Sequence, residues 1–329
     1  GIADSIFRGL VFAVFPFPAR LRAAGLLLWL LRVLGLRALL RKSRWLERLS
    51  PRLAQLDALA PDRAPADLLR ALPALTPADG EPRLRVGLVA GCVQRVFFPA
   101  VHGATLRVLA AEGCEAVVPE GQGCCGALSL HSGRRDEART FARALVRSFD
   151  DAAVDVVLTN AAGCGSALKE YGRLFDDDPE WRERARLFAA KVRDVTELLS
   201  ELAPRAPRHR IEARVAYHDA CHLAHAQGIR RPPRLLLEAI PGLSIREIPQ
   251  GEQCCGSAGT YNLFEPESAN EIGLRKVESV LRTGADLLVS ANPGCTLHLQ
   301  RLMRARDIHL RAMHPVELLD KSLRGETIR

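Results

Sequence analysis

Short apolar segments alternate with longer amphipathic segments through most of the chain after residue 83. The short runs, such as RVGLVAG at 85–91 and DVVLTN at 155–160, predict buried β-strands. The longer segments, such as DEARTFARALVRSF at 136–149, predict helices with one apolar face. Strands that alternate with helices are typical of a parallel sheet with crossover helices, so the pattern predicts an α/β fold.

The same order of elements occurs twice along the chain. Each copy has a cysteine after its first strand, an adjacent cysteine pair after its second strand and a cysteine after its third. The cysteines are Cys92, Cys124, Cys125 and Cys164 in the first copy, and Cys221, Cys254, Cys255 and Cys295 in the second. The second set follows the first at offsets of 129 to 131 residues, so the chain contains a long internal repeat.

The cysteines of each copy lie where a predicted strand turns into a helix. In a parallel sheet these turns gather at the carboxyl edge, so we expect the four thiols of each copy to converge from three loops. We predict two tandem domains, at 84–207 and 208–329, related by a pseudo-twofold axis. A basic amphipathic helical segment at 1–50 and a Pro/Ala-rich linker at 51–83 are expected to precede them.

The cysteine content indicates reduced thiols. Nine cysteines among 329 residues are far fewer than a disulfide-stapled scaffold has, and the odd number argues against complete pairing. Adjacent cysteines are also poor partners for each other. Free cytosolic thiols, or thiolates bound to metal, fit better. Cys114 has no counterpart in the second copy, and we interpret it as a buried thiol.

The net charge of +8 is concentrated at one end of the chain. Residues 1–50 contain nine Lys/Arg and two Asp/Glu, which leaves almost no excess for residues 51–329. We therefore expect no nucleic-acid-binding face.

Residues 20–49 are predicted to form a helix rich in Leu, Ala and Arg. One interpretation is an amphipathic helix on a membrane surface, and the other, which we favour, is a helix packed on the protein or a partner subunit with solvated arginines. The apolar run Ala23–Leu31 is too short to span a bilayer.

Four converging thiols suit soft metals, either zinc or iron in an iron–sulfur cluster. Structural zinc sites normally contain closely spaced C-x2-C pairs, and neither copy has one. Cysteines on widely spaced loops, together with an adjacent pair, suit an iron–sulfur cluster. Its irons are separated in space, so the two adjacent cysteines can bind different irons. Gly126 and Gly256, which follow the pairs, would let the backbone approach the cluster and offer N–H groups to its sulfurs. The alternative is a set of buried, inert thiols, which the repetition of matching flanks disfavours.

The motifs that contain these cysteines resemble a known family. They are AGCVQ, GCCGALSLHSG, TNAAGCGSALKEYG, YHDACHLAHAQGIR, CCGSAGTYNL and NPGCTLHLQ. Over roughly residues 84–320 the chain resembles the CCG cysteine-rich domains of the heterodisulfide reductase B subunit superfamily. Within that superfamily it is most similar to the iron–sulfur subunits of bacterial glycolate oxidase.

This resemblance implies an electron-transfer subunit with two CCG domains. An FAD-binding partner subunit would oxidise glycolate to glyoxylate, with D-lactate as a second substrate. Electrons would then pass through iron–sulfur clusters of this subunit, expected to be 4Fe-4S, toward a membrane quinone or another acceptor. The implied location is the cytoplasm, with peripheral contact at the inner face of the plasma membrane through residues 20–49. No catalytic residue is expected in this chain, which shows no flavin fingerprint.

Two departures from the family pattern matter. Such subunits usually begin with a ferredoxin-like module carrying C-x2-C-x2-C-x3-C-P runs, whereas this chain starts at Gly1 and its first cysteine is Cys92. We therefore expect a chain truncated after that module. In addition, CCG domains often end in C-x2-C, and the last cysteine is replaced by Ala167 and by His298. A four-ligand cluster, a different metal and a vestigial site all stay open, with His298 as either a nitrogen ligand or a capping or surface residue.

Histidines cluster around the first cysteine of the second copy. His218, His222 and His225 flank Cys221, and the first copy has no equivalents. They would either handle protons and contact a quinone or substrate, or hold the cysteine loop by hydrogen bonds, which we favour. We assign His218 and His222 to cofactor binding. Arg275 and Lys276 are interpreted as a solvated helix face.

Two other functions compete with glycolate oxidation. One is another CCG-type redox subunit, in lactate utilisation, anaerobic glycerol-3-phosphate dehydrogenase or a heterodisulfide reductase-like complex. The other is a non-redox scaffold that contains structural zinc or no metal and docks the flavin subunits. Metal content separates this scaffold from the redox subunits.

Overall fold

The computed structural model describes residues 2–328. The strands are β1 (Leu75–Thr76), β2 (Leu84–Leu88), β3 (Cys114–Val117), β4 (Val156–Thr159), β5 (Val192–Asp194), β6 (Ala213–His218), β7 (Leu243–Glu247), β8 (Leu287–Ser290) and β9 (Arg311–Met313). The helices up to the end of the first copy are α1 (Ile2–Val14), α2 (Pro18–Val33), α3 (Leu36–Lys42), α4 (Trp45–Leu49), α5 (Pro51–Leu59), α6 (Pro65–Leu68), α7 (Val93–Phe97), α8 (Pro99–Ala111), α9 (Ala127–His131), α10 (Arg135–Ser148), α11 (Ala162–Lys169), α12 (Tyr171–Leu174), α13 (Arg182–Ala190) and α14 (Val195–Glu201), with a 3-10 turn at Asp150–Ala152. Those of the second copy are α15 (Cys221–Ala224), α16 (Arg231–Glu238), α17 (Tyr261–Phe264), α18 (Pro266–Arg282), α19 (Pro293–Arg304) and α20 (Pro315–Leu323).

Two parallel sheets, one in each copy, confirm the predicted α/β repeat. The first sheet has the order β1-β3-β2-β4-β5, in which only β1 runs antiparallel to its neighbour. The second has the order β7-β6-β8-β9 and is parallel throughout. In both copies the strand before the first cysteine therefore lies between the two strands that precede the other cysteines.

The strand registers match between the copies. Val86 on β2 pairs with Ala116 on one side and with Val156 on the other. Val215, 129 residues later, pairs in the same way with Ile245 and Leu287 on its two sides. The short outer strands β5 and β9 were not predicted, because three residues carry too little pattern to separate a strand from a loop.

One apolar core joins the two sheets. It includes Val86 and Leu109 from the first copy with Val215 and Leu318 from the second, all essentially inaccessible to solvent. The helices α8 and α20 pack against each other there, and so do α14 and α16. Burying one such aliphatic side chain contributes about 2 kcal/mol, so the two copies stabilise each other.

The N-terminal segment is helical, as predicted, but it is broken rather than continuous over 20–49. Helix α2 ends at Val33 and is followed by Gly35, whose positive φ of 71° redirects the chain into α3. Not all of its arginines are solvated. Arg37 is buried, and its guanidinium lies 2.6 Å from Asp57 and 2.5 Å from Asp62. The interpretation of uniformly solvated arginines is therefore wrong for Arg37.

The segment packs on both copies. Phe7 and Phe12 of α1 contact Phe264, just after the second CCG turn, whereas Leu21 of α2 packs with Phe97 of the first copy. Residues 51–83 contain α5, α6 and the edge strand β1. The domain boundaries at 50, 83 and 207 stay a prediction.

Within the part of the chain that the structure describes, no single helix is both long and apolar enough to cross a bilayer. The helices Asp4–Val14 and Pro18–Val33, with a bend of 106° between them, meet the length and composition criteria only when taken together.

Candidate metal centres

The first site consists of Cys92, Cys124, Cys125 and Cys164. These residues follow the carboxyl ends of β2, β3 and β4, so the predicted convergence from three adjacent loops occurs. Cys92, Cys124 and Cys125 are buried, and Cys164 is half-buried at the start of α11. The Sγ atoms of Cys92 and Cys124 lie 3.6 Å apart.

The thiols of the first site do not ionise independently. Contact with Cys125 and Cys92, together with burial, raises the pKa of Cys124 well above its ordinary value. Contact with Cys125 and burial also raise the pKa of Cys164, whereas Cys124 and Cys164 hold the pKa of Cys125 well below its ordinary value. One thiolate therefore forms readily and opposes the next, so four thiolates together need a positive metal centre.

The second site repeats this arrangement with Cys221, Cys254, Cys255 and Cys295, which follow β6, β7 and β8. Contact with Cys254 raises the pKa of Cys221 and that of Cys255, whereas contact with Cys255 lowers the pKa of Cys295 well below its ordinary value. Ligand atoms of Cys255, Cys295 and His218 all lie within 4.8 Å of one another.

The glycine after each cysteine pair directs its backbone N–H at a thiol. Gly126 donates to the Sγ of Cys124 at 3.3 Å, and Gly256 donates to the Sγ of Cys254 at 3.3 Å. Both glycines have positive φ, 80° and 86°, a region that other residues rarely adopt. The N–H role inferred from the sequence thus has matching geometry in both copies.

Residues that sequence reasoning missed also position the cysteine loops. The hydroxyl of Tyr171 donates to the carbonyl of Cys125 at 2.6 Å. The amide of Asn292 donates to the Sγ of Cys295 at 3.2 Å and accepts the N–H of Gly163 at 3.1 Å. Asn292 therefore links the third cysteine loops of the two sites. The only sequence feature that could have indicated this role of Asn292 is its position as a polar residue directly before the Pro-Gly-Cys turn.

The histidines occupy distinct environments. His222 places Nδ1 3.6 Å from the Sγ of Cys221, and its ring lies 4.7 Å from that of His131 in the first copy. His225 is exposed near Glu252. His218 is buried, and neither of its ring nitrogens has a hydrogen-bond partner among residues 2–328.

His298 fits neither alternative that the sequence left open. It is fully buried, with Nε2 3.1 Å from the carbonyl of Ala269 and Nδ1 3.3 Å from the amide of Asn262. Both nitrogens therefore have protein partners, which removes His298 as a free metal ligand and as a surface residue. Ala167, its counterpart in the first copy, is a buried core residue.

Lys276 is also not the solvated residue that the sequence indicated. Its side chain is 1% exposed, and Nζ donates to the carbonyl of Gly251 at 2.8 Å, in the loop that leads to Cys254. Lys169, in the first copy, forms an ion pair of 2.7 Å with Glu197.

An apolar cavity of about 480 Å³ adjoins the first site. Aliphatic side chains of α1, α2 and α5 line it, among them Val11, Leu28 and Leu56. The four cysteines of the first site also line it, together with His131 and His222. The cavity therefore connects the first site with the leucine-rich N-terminal helices.

The donor sets fit a metal or an iron–sulfur cluster. Each site has four sulfurs, soft ligands that select zinc, copper(I) or iron–sulfur clusters. The N–H groups directed at sulfur match the hydrogen bonds that tune such clusters. The separation of Cys92 and Cys124 also suits two ligands of one tetrahedral metal, for which a bond length of about 2.3 Å places the sulfurs about 3.8 Å apart.

Two parallel α/β units, each with four thiols at the carboxyl ends of three adjacent strands, define a tandem cysteine-rich domain protein. The family model for the CCG cysteine-rich domain matches residues 86–169 and again residues 215–300. The model for the linker region of glycolate oxidase iron–sulfur subunits matches residues 3–60. A Bacillus subtilis (strain 168) protein named probable glycolate oxidase iron–sulfur subunit is 37% identical over 310 residues, which cover 93% of this chain and 70% of that protein. The chain belongs to the family of glycolate oxidase iron–sulfur subunits.

Two further similarities are at lower sequence identity. Lactate utilization protein A of an Exiguobacterium species is 29% identical over 240 residues, or 73% of this chain and 98% of that protein. A crystal structure of a hypothetical protein from Helicobacter pylori superposes with a TM-score of 0.55 at 10% identity. The superposition covers 83% of this chain and 56% of the Helicobacter pylori chain, and this similarity shows the fold alone.

Proposed function

We propose that this chain is the electron-transfer subunit of a glycolate oxidase complex and binds iron–sulfur clusters at both sites. An FAD-binding partner would oxidise glycolate to glyoxylate, with D-lactate as a second substrate, and electrons would pass toward a membrane quinone. The observation that carries the proposal is the convergence of two sets of four thiols in matching geometry. Family membership supports the redox chemistry.

An iron–sulfur cluster bound at either site would supply one-electron transfer, and this chain's residues would hold and tune it. The four cysteines would be its ligands. Gly126 and Gly256 direct N–H groups at ligand sulfurs, which stabilises negative charge there. Five of the eight cysteines are buried and three are half-buried, and burial with N–H···S bonds is what sets the reduction potential of such a cluster. No residue of this chain is proposed to act on glycolate itself.

The apolar cavity supports a lipophilic acceptor. A quinone has a polar ring and a long apolar tail, and the cavity is apolar along α1, α2 and α5 but has His131 and His222 near the cysteines. Both imidazoles can hydrogen-bond a ring carbonyl. We propose that the quinone ring binds beside the histidines and that its tail lies along the leucines.

The surface next to this cavity supports a proposal of peripheral membrane contact. Leu27 and Leu30 of α2 are exposed, as is Leu34 directly after the end of this helix, and Leu27 also lines the cavity. Arg32 lies exposed in the same helix. Exposed leucines with neighbouring arginines are typical of helices that lie in an anionic membrane surface. We propose peripheral contact with a membrane through this surface, at the cytoplasmic face of the plasma membrane.

Two other functions have specific support. The similarity to lactate utilization protein A favours a related redox subunit that serves lactate. The 3.6 Å separation of the Cys92 and Cys124 sulfurs favours a scaffold with zinc. Both alternative functions keep two cysteine sites in one chain. The first differs from the proposed function in its substrate, and the second differs in its metal.

Metal analysis tests the proposal. Protein purified without oxygen should contain iron and acid-labile sulfide in near-equal amounts, with zinc at trace level. Cys125→Ser should remove about half of both, and Cys255→Ser the other half. Cys114→Ser is the matched control, because Cys114 is equally buried on β3 but belongs to neither site.

The result also selects among the alternatives. Zinc in place of iron, or no metal, would refute the redox function and leave the scaffold. If iron and sulfide are present, the purified complex should be reduced by glycolate. Reduction by L-lactate or glycerol 3-phosphate, with none by glycolate, would assign it to a different redox complex.

A further inference from the structure

The second site contains a nitrogen donor that the first site lacks. His218 is the last residue of β6, three residues before Cys221, and its side chain is 1% exposed. A ring nitrogen lies within 4.8 Å of the Sγ atoms of Cys255 and Cys295. The imidazole therefore faces the point at which the thiols converge.

The imidazole of His218 lies beside the thiol of Cys295, whose pKa it helps to lower, but within the described chain it has no partner at normal hydrogen-bond geometry. Neither ring nitrogen forms a hydrogen bond to any residue between 2 and 328. A buried polar group without a partner is costly, so proteins rarely leave one. Two other buried histidines have partners for both ring nitrogens, His102 with Ala90 and Asn160 and His298 as described above, and the buried His314 has a partner for Nδ1 alone. Among these buried histidines of the described chain only His218 has no partner for either nitrogen, and a metal would satisfy one of the two.

The first copy has an apolar residue at this place. Val89 precedes Cys92 by three residues, as His218 precedes Cys221, and it lies buried in the core of the first copy. The strands β2 and β6 pair in equivalent registers, so the two positions correspond. At this position, therefore, the first site has no nitrogen donor and the second site has one.

We propose that His218 is a nitrogen ligand of the iron centre at the second site. The inference rests on the proposed function, because it requires a cluster there. Imidazole is neutral and a harder ligand than thiolate, and histidine ligation raises the reduction potential of an iron–sulfur centre. The two centres then differ, with the higher potential at the second site.

The test uses the whole chain, purified without oxygen and labelled with ¹⁵N-histidine. Pulsed EPR of the reduced protein should show a strong histidine nitrogen coupling. That coupling should disappear in His218→Val, which installs the residue of the first copy, and persist in His222→Gln. Redox titration should show one of two midpoint potentials shifted downward in His218→Val.

A second variant separates ligation from hydrogen bonding. His218→Gln keeps an N–H donor but lacks the imidazole ligand, so we expect the same loss of coupling and a downward shift. An unchanged potential in His218→Gln would overturn ligation. The measurement on the labelled wild-type protein needs no variant, so it stands even if the variants fold poorly.

The outcomes distinguish this inference from the proposed function. Iron and sulfide for two clusters without histidine coupling overturn the role of His218 and leave the electron-transfer function intact. Protein without iron overturns both.

Discussion

The backbone N–H of Gly256 lies 3.3 Å from the Sγ of Cys254, and this contact exists only because Gly256 has a φ of 86°. A Cβ atom at this position would lie 2.3 Å from the carbonyl oxygen of Ala269, much closer than real contacts allow. At Gly126, the equivalent of Gly256, the corresponding distance to Ala138 is 2.9 Å. The same turn is therefore tighter in the second site.

Alanine substitutions test this difference. We expect Gly256→Ala to lower the free energy of unfolding by about 3 kcal/mol or more, because left-handed strain adds to a forced backbone shift. Gly126→Ala should cost less. Gly121→Ala is the control, with a φ of 73° and no atom near its Cβ, and should cost only about 1 kcal/mol. Urea unfolding measures all three, and equal losses would contradict the steric explanation.

The hydroxyl of Tyr171 predicts a second effect. Tyr171→Phe removes the donor to the carbonyl of Cys125 and leaves that oxygen buried without it. We expect a loss of about 1–2 kcal/mol in the free energy of unfolding. The EPR signal of the first site should shift, and that of the second should not.

Tyr217 offers a matched control for Tyr171. It is equally buried, but its hydroxyl has no hydrogen-bond partner within residues 2–328. Tyr217→Phe should therefore be neutral or slightly stabilising. If both phenylalanine variants lose the same stability, the bond to Cys125 is not the cause.

The sequence was sufficient to predict the repeat, the parallel sheets and the convergence of the cysteines, because the cysteine spacing and the alternation of strands and helices can be read directly along the chain. It was insufficient for Lys276. Lys276 follows Arg275 in a charged helix and looks solvated, yet the carbonyl of Gly251, distant in sequence, draws it inward. The break at Gly35 was missed because a single glycine in a leucine-rich run changes the helical pattern little.

The buried charge of Lys276 predicts a redox effect. Helix α10 of the first copy corresponds to α18 of the second, because Ala138 and Ala269 contact the equivalent glycines Gly126 and Gly256. Lys276 lies seven residues after Ala269, and the residue seven positions after Ala138 is Leu145. A cation near the second site favours the reduced cluster, which is more negative. We expect Lys276→Leu to lower one of the two midpoint potentials in a redox titration.

The control for Lys276 is its neighbour. Arg275 is exposed and pairs with Glu271 at the surface, where water screens its charge. Arg275→Leu should leave both potentials unchanged. A similar shift in both variants would mean that net charge, rather than the buried position, sets the potential.

Two buried histidines predict that mild acid destabilises the fold. Burial lowers the pKa of His102 to about 4 and the pKa of His314 to about 3, from an ordinary value of 6.5. Below pH 6.5 the unfolded chain therefore binds protons that the folded chain does not. The free energy of unfolding then falls as the pH drops from 6.5 toward 4. Burial raises the pKa of Asp194 to about 6, which opposes this trend between about pH 4 and 6.

His314→Asn isolates one of these contributions. The Nδ1 of His314 accepts the N–H of Val316 at 3.1 Å, and asparagine keeps such an N-cap bond without titrating. Between about pH 7 and pH 4 the variant should lose about 3 kcal/mol less stability than the wild type. Urea unfolding across this range measures the difference, and parallel curves would exclude His314 as a source of acid sensitivity.

The exposed leucines of α2 predict binding to anionic vesicles. Leu30, near the end of α2, is 45% exposed, and Leu34, directly after the last residue of α2, is 60% exposed. Leu30→Glu with Leu34→Glu removes apolar contact and adds negative charge, so we expect the affinity for phosphatidylglycerol vesicles to fall at least about tenfold. Leu187→Glu, at a leucine 55% exposed on α13, is the control and should change affinity little. Co-sedimentation measures binding. If the wild type does not bind vesicles, or if the Leu187 variant weakens equally, this face is not a membrane contact.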